Sequence, residues 1–183
     1  MEAVKFFTKE LWLSAQNPDN LKAYDRDWQR AYEEYRAELE TLKPRLASEA
    51  YKFFAEADVH DGELLDLVIA DGSRPAPLPE KARPWTEPGN YPVQVRIEVL
   101  DSYDKLVWRL WYKNVRRLIV DFPTQEPLFY SAGEGFGDWG YHELSDAGSG
   151  FLRHEVLFAT GAILLFEFKE LDVSFSARQT ATS

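Results

Sequence analysis

The stretch 151–175, FLRHEVLFATGAILLFEFKELDVSF, leaves few folds open to this chain. Leu152, His154, Val156 and Phe158 recur at every second position. After Ala159-Thr160-Gly161, the set Ala162, Leu164, Phe166 and Phe168 does the same. Period-two alternation of this length marks half-buried strands, and a glycine at the bend suits a hairpin. Burying each Leu or Phe side chain is worth roughly 1.5–3 kcal/mol. Such a hairpin needs a cover, and the rest of the chain has to supply it. One polar ring, His154, sits among the apolar positions.

The cover is visible at the other end of the chain. Thr8 can cap a short helix over 8–16 that stops at Asn17-Pro18. Pro18 then stands at the first position of a long helix, 18–42, where its missing N–H costs nothing. Leu21, Tyr24, Trp28, Tyr32, Tyr35, Leu39 and Leu42 fall three or four residues apart along it. That spacing predicts one inward stripe carrying both Trp28 and Tyr32. Pro44 opens a third helix over 44–57, antiparallel to the second. His60-Asp61-Gly62 turns the chain, and the period then changes from 3.6 to 2. Leu65, Leu67 and Ile69 share one face of the first strand, Val93, Val95, Ile97 and Val99 one face of the next. Leu106, Trp108, Leu110 and Tyr112 follow in the same way. Six prolines in 71–92 exclude a helix interior or a central strand and predict a surface excursion.

Helices first and then strands joined by turns predict an α+β fold. Helices over about 8–16, 18–42 and 44–57 pack on an antiparallel meander sheet or partial barrel over about 63–175. The chain reads as one domain, 1–175, with a helical region over 1–60 and a β region over 61–175. The small polar residues 176–183 read as a frayed tail.

Charge narrows the partners. The net charge is −10, and 121–183 holds 10 acidic residues against 3 basic ones. Such a surface repels phosphate backbones, which argues against nucleic acid, and attracts a basic protein. With no cysteine there is no disulfide framework, thiolate metal site or Cys nucleophile. The N-terminus has no secretory signal pattern, and no apolar run suits a membrane span. The expected location is cytoplasmic, with no membrane partner, and the sequence implies no cofactor.

Few motifs carry chemistry. Gly133-Glu134-Gly135-Phe136-Gly137 is glycine-rich, but acids flank it and a strand follows, so it reads as a hairpin loop rather than a phosphate cradle. Taken together, Lys5-Phe6-Phe7-Thr8-Lys9-Glu10-Leu11, the His60-Asp61 turn, Trp139-x-Tyr141-x-Glu143 and Phe151-x-x-His154-Glu155-x-Leu157-Phe158 resemble an uncharacterised bacterial family. That family is classed as a domain of unknown function and is found largely in bacilli and their relatives. The resemblance implies a bacterial cytoplasmic protein and brings no activity or cofactor.

Three functional expectations follow. The first is a non-enzymatic interaction domain, immunity-like in form, whose acidic surface occludes a basic protein partner. The second is a small-molecule pocket between sheet and helices, lined by Tyr32, Tyr35, Trp108 and Trp139. The third is a constellation of His60, Asp61, His142, Glu143 and His154. His142 and His154 stand at equal distance from Gly148, so either His142 or Glu143 should face His154 across the hairpin. Three converging imidazoles suit an open metal site, whereas a Glu143–His154 pair is a structural hydrogen bond.

Overall fold

The computed structural model describes residues 4–15, 21–71, 93–122 and 135–178. The Asn17-Pro18 cap, most of the proline-rich segment and residues 179–183 lie outside them.

Thr8 caps α1 (Lys9–Ser14), its hydroxyl accepting the Leu11 N–H at 3.2 Å. In α2 (Leu21–Leu42), Tyr24 and Trp28 are half-buried, and Ala31, Tyr35, Leu39 and Leu42 are buried. Tyr32 does not belong to this stripe. It is 43% exposed, with the Arg36 guanidinium near its ring. At about 100° per residue Ala31 falls on the side of the stripe occupied by Tyr24, Tyr35 and Leu42, and Tyr32 falls on the opposite flank. Pro44 belongs to a 3-10 turn, Lys43–Arg45, and α3 starts only at Ser48 (Ser48–Glu56). The two helices run antiparallel, with Arg36 donating to the Ala55 carbonyl.

Eight strands form one antiparallel sheet: β1 (Gly62–Asp71), β2 (Val93–Leu100), β3 (Leu106–Lys113), β4 (Arg117–Asp121), β5 (Asp138–Gly148), β6 (Phe151–Phe158), β7 (Ile163–Phe168) and β8 (Glu170–Ala177). Their order is β4-β7-β6-β5-β1-β2-β3-β8. The fold is α+β, and the sheet curls without closing into a barrel. Two features set the curl. β1 joins β5 only at Gly62–Trp139 and Glu63–Asp138. Lys169 alone separates β7 from β8, although they lie far apart in the strand order. The curl brings Tyr112 of β3 onto Phe166 of β7, with ring centroids 4.5 Å apart. The face they share is therefore concave, and α3 lies against it through Phe53, which touches Trp108.

The alternation in β6 and β7 is as expected, with Leu152, His154, Val156, Phe158, Ala162, Leu164, Phe166 and Phe168 all buried. The strands are not half-buried, however. Phe151, Glu155 and Leu157 on the opposite face of β6 are buried as well. In β1 Leu67 turns inward as expected, and Ile69 shares its face opposite Val95 but stays exposed, whereas Leu65 turns outward and Leu64 takes the inward place. A bulge between Leu64 and Asp66 shifts the register, and a one-residue slip exchanges the faces of a strand. β8 extends to Ala177, and the Arg178 N–H donates to the Lys105 carbonyl at 2.7 Å, so ordered pairing passes the expected tail boundary at 176.

No helix among the described residues is long and apolar enough to cross a membrane.

Candidate functional site

The β5–β6 hairpin carries Trp139, His142, Glu143 and His154 of the residues singled out above, and it is polar on both faces. Gly148, Ser149 and Gly150 all have positive φ, so the turn falls at Ser149-Gly150. A bulge between Asp146 and Gly148 completes the offset. His154 therefore faces Leu144, His142 faces Val156, and Glu143 faces Glu155. Neither expected pairing of His154 occurs, because the hairpin turns one residue beyond Gly148. Parity survives the shift, so His142 and His154 remain diagonal neighbours on the concave face.

There the two imidazoles join a third group. His142 Nδ1 lies 3.2 Å from His154 Nε2, and His154 Nδ1 lies 2.6 Å from the Tyr112 hydroxyl. Phe53, Phe54 and Trp139 close around both rings. Burial pushes His142 down to about 3 and His154 well below the ordinary histidine range, while it raises Tyr112 well above 10. All three are neutral at pH 7. A neutral imidazole has one donor and one acceptor, so the chain admits two proton arrangements. In one, Tyr112 donates to His154 and His154 to His142. In the other, every donor reverses. The concave site is thus a three-membered hydrogen-bond wire. Trp139 Nε1 is buried beside it without a partner among the described residues.

The convex face does different work. Glu143 is fully buried, and its carboxylate accepts the backbone N–H groups of Lys5, Phe6 (2.9 Å) and Phe7 (3.3 Å). Glu155 beside it receives the Val4 N–H. Burial pushes Glu143 up, and the three N–H groups pull it down without overcoming the shift. Beyond this clamp, Phe7 packs on Trp28, Tyr35 and Tyr141, and Trp12 lies edge-on to Tyr141. Gly140 makes room for Trp12: a Cβ there would stand 2.3 Å from the indole and 2.5 Å from the Leu157 carbonyl oxygen. The Tyr35 hydroxyl accepts the Leu144 N–H at 3.4 Å.

His60 joins neither imidazole. Its ring lies on Tyr141 and Trp12, on the convex side, with Nδ1 3.1 Å from Asp61 Oδ1. The three-imidazole constellation does not form. Among the described residues no three His, Asp or Glu side chains gather to hold a metal ion. The four aromatic pocket candidates separate too. Tyr32 faces solvent, Tyr35 packs under Phe6 and Phe7, and Trp108 and Trp139 are buried on the concave side.

A cleft of about 390 Å³ opens where β1 meets β5. Asp61, Glu63, Asp104 and Asp138 line it, with Phe136 and Leu64, and no lining residue is basic. Asp61 and Asp104 hold positive φ in tight turns, and both side chains are exposed. Arg178 reaches Asp104 from the side at 3.3 Å. Sequence reasoning missed Asp104 and Asp138 as site residues, and it missed Tyr112 as the partner of His154. Asp104 sits at a turn, and Tyr112 ends an apolar alternation. Neither position signals what lies opposite.

The chain matches no protein-family model, no curated protein and no solved structure.

Proposed function

We propose that this is a non-enzymatic cytoplasmic interaction domain that takes a basic protein partner at the acidic cleft. The observation that carries the reading is the cleft itself: four carboxylates and no basic lining residue around about 390 Å³, large enough for arginine or lysine side chains, with Arg178 touching only Asp104 at its side. Their mutual repulsion is relieved by an incoming guanidinium or ammonium group. The aromatic ring of Phe136 offers a surface for the same group.

Overall charge supports the reading less than the sequence implies. Of the 10 acids in 121–183, Glu143, Glu155 and Glu167 are buried. Glu167 is held by Arg116 at 2.8 Å and Arg153 at 2.7 Å. Burial alone would raise its pKa, but these hydrogen bonds outweigh that and hold the carboxyl below its ordinary range. The attraction therefore concentrates at the cleft. An immunity-type protein that occludes a basic nuclease or toxin is the form of function this chemistry fits best. The resemblance to a bacterial family of unknown function agrees with that setting and adds no activity.

The test uses an oligo-arginine peptide and isothermal titration calorimetry at low and high salt. The double variant Glu63→Lys/Asp138→Lys removes the cleft's charge. Glu170→Lys/Asp172→Lys makes the same net change on β8. Binding lost only in the cleft variant supports the assignment. Equal loss in both variants, or binding that neither alters, overturns it.

A further inference from the structure

We propose that β4 is a self-complementary edge through which two copies of this chain pair, extending the sheet across a two-fold axis. The inference stands apart from the acidic cleft, whose lining includes no residue of β4. Among the described residues β4 pairs only with β7, and it ends the strand order. Its sequence is Arg117-Leu118-Ile119-Val120-Asp121. An antiparallel pair centred on Ile119 sets Arg117 of each copy opposite Asp121 of the other. It also sets Leu118 opposite Val120 twice, and Ile119 opposite itself. Directly opposed side chains in such a pair lie about 4.5–5.5 Å apart at Cβ, close enough for both the ion pairs and the apolar contacts. Val120 is 40% exposed and Phe122, just beyond, 48%, an apolar margin that a second copy covers.

The other open edges do not pair with themselves. β1 leaves β5 after Glu63 and carries Glu63, Asp66 and Asp71 with no cation. β8 carries Glu170 and Asp172, again with no cation. Neither strand has a cation of its own to pair with these carboxylates, and exposed acidic side chains protect an edge against association. β4 has one cation and one anion placed symmetrically about its centre, and so lacks that protection. Arg117 also reaches Glu167 at 3.5 Å. A guanidinium has five donors, so it can serve a second carboxylate without leaving the first. The two-fold closes the assembly as a dimer instead of a filament.

An edge of this length buries less than the roughly 1,200–2,000 Å² of a stable complex, so the dimer should dissociate in the micromolar range. Sedimentation equilibrium from about 1 to 500 μM is expected to show a monomer–dimer exchange weakened by salt. Asp121→Arg, at an exposed position, sets like charges opposite each other twice and should give monomers. Arg117→Asp should do the same. An equimolar mixture of the two variants restores both ion pairs and should re-form a one-to-one dimer. Because Arg117→Asp also disturbs Glu167, cross-linking supplies an independent readout. This cysteine-free chain carrying Ile119→Cys should oxidise to a covalent dimer, and Val68→Cys on β1 should not. A monomer throughout the concentration range overturns the proposal. So does a dimer that survives Asp121→Arg, or a Val68→Cys cross-link as efficient as that of Ile119→Cys.

Discussion

Replacing Glu143 by alanine tests whether its carboxylate holds the N-terminal segment in place. The carboxylate accepts three backbone N–H groups from Lys5, Phe6 and Phe7 within a buried site. Hydrogen bonds to a charged group contribute about 1.5–3 kcal/mol each, and a buried donor left without a partner costs about 1–3 kcal/mol. Three orphaned donors could therefore cost more than most small domains can spare. The segment has a cheaper course. It can peel away, rehydrate its N–H groups and recover chain entropy, at the expense of the burial of Phe6, Phe7 and Trp12. That course limits the loss to about 3–5 kcal/mol, the range found when one partner of a buried charged contact is removed. Glu143→Gln keeps the shape and one acceptor but turns an amide N–H₂ toward backbone donors, so it should cost about 1.5–3 kcal/mol. Chemical denaturation gives the stabilities. Hydrogen exchange locates the change: amides of 5–12 should lose protection in the alanine variant, while those of β6 and β7 keep theirs. If the Lys5, Phe6 and Phe7 amides stay protected in Glu143→Ala and the denaturation midpoint does not move, the clamp is not what holds the segment.

Other substitutions probe the remaining contacts. Gly140→Ala forces a Cβ against the Trp12 indole and the rigid Leu157 carbonyl, and should cost about 1–3 kcal/mol with a red shift of tryptophan emission as Trp12 leaves its seat. Tyr112→Phe leaves His154 Nδ1 without its partner in an otherwise unchanged core, so a loss of about 1–3 kcal/mol by thermal or chemical denaturation is expected. Trp28 is half-buried against Phe7 and Tyr141, so Trp28→Ala should cost about 1.5–3 kcal/mol, less than a fully buried tryptophan. Acid should weaken the fold through His142 and His154. Their folded-state pKa values lie below the unfolded value, so the unfolded chain binds more protons, and stability falls from about pH 6.5 down to about 3 for His142. Glu143 and Glu155 act in the opposite sense. Burial raises their pKa values, so their contribution is full below the unfolded value and is lost as pH rises through the folded one. Stability of His142→Leu measured against pH should be flatter than that of the parent protein over the histidine window.

What could be read from the sequence follows from which forces are local. Helix and strand periods depend on neighbouring residues, and the three helices and the alternation in β2, β3, β6 and β7 emerge as expected. Bulges are not local in that sense. That in β1 moved Leu65 to the solvent side, and the one at Asp146–Gly148, with the turn beyond Gly148, took His154 away from both expected partners. The site residues were harder still. Tyr112 meets His154 only because the sheet curls until β3 and β6, well separated in strand order, face each other. Tyr32 illustrates a smaller limit: a stripe of aromatic residues is counted correctly, yet Ala31 takes the buried place.

The short motifs around β5 and β6 have a common physical cause. Along Trp139-Gly140-Tyr141-His142-Glu143, the bulge at Gly140 lets Trp12 down onto the sheet, and alternation then sends Tyr141 and Glu143 one way and His142 the other. On β6, His154 and Glu155 divide in the same manner. The convex face needs acceptors, because the arriving segment presents bare N–H groups. The concave face needs groups that stay neutral among aromatic rings, and a neutral imidazole does so at far lower cost than a carboxylate. Sliding either strand by one residue would put carboxylates among Phe53, Phe54 and Trp139, and imidazoles against backbone donors. Both faces would then be wrong at once. The polar residues therefore set the register of the hairpin more sharply than its apolar alternation can, since Leu, Val and Phe are buried on both sides of β6 and tolerate either face.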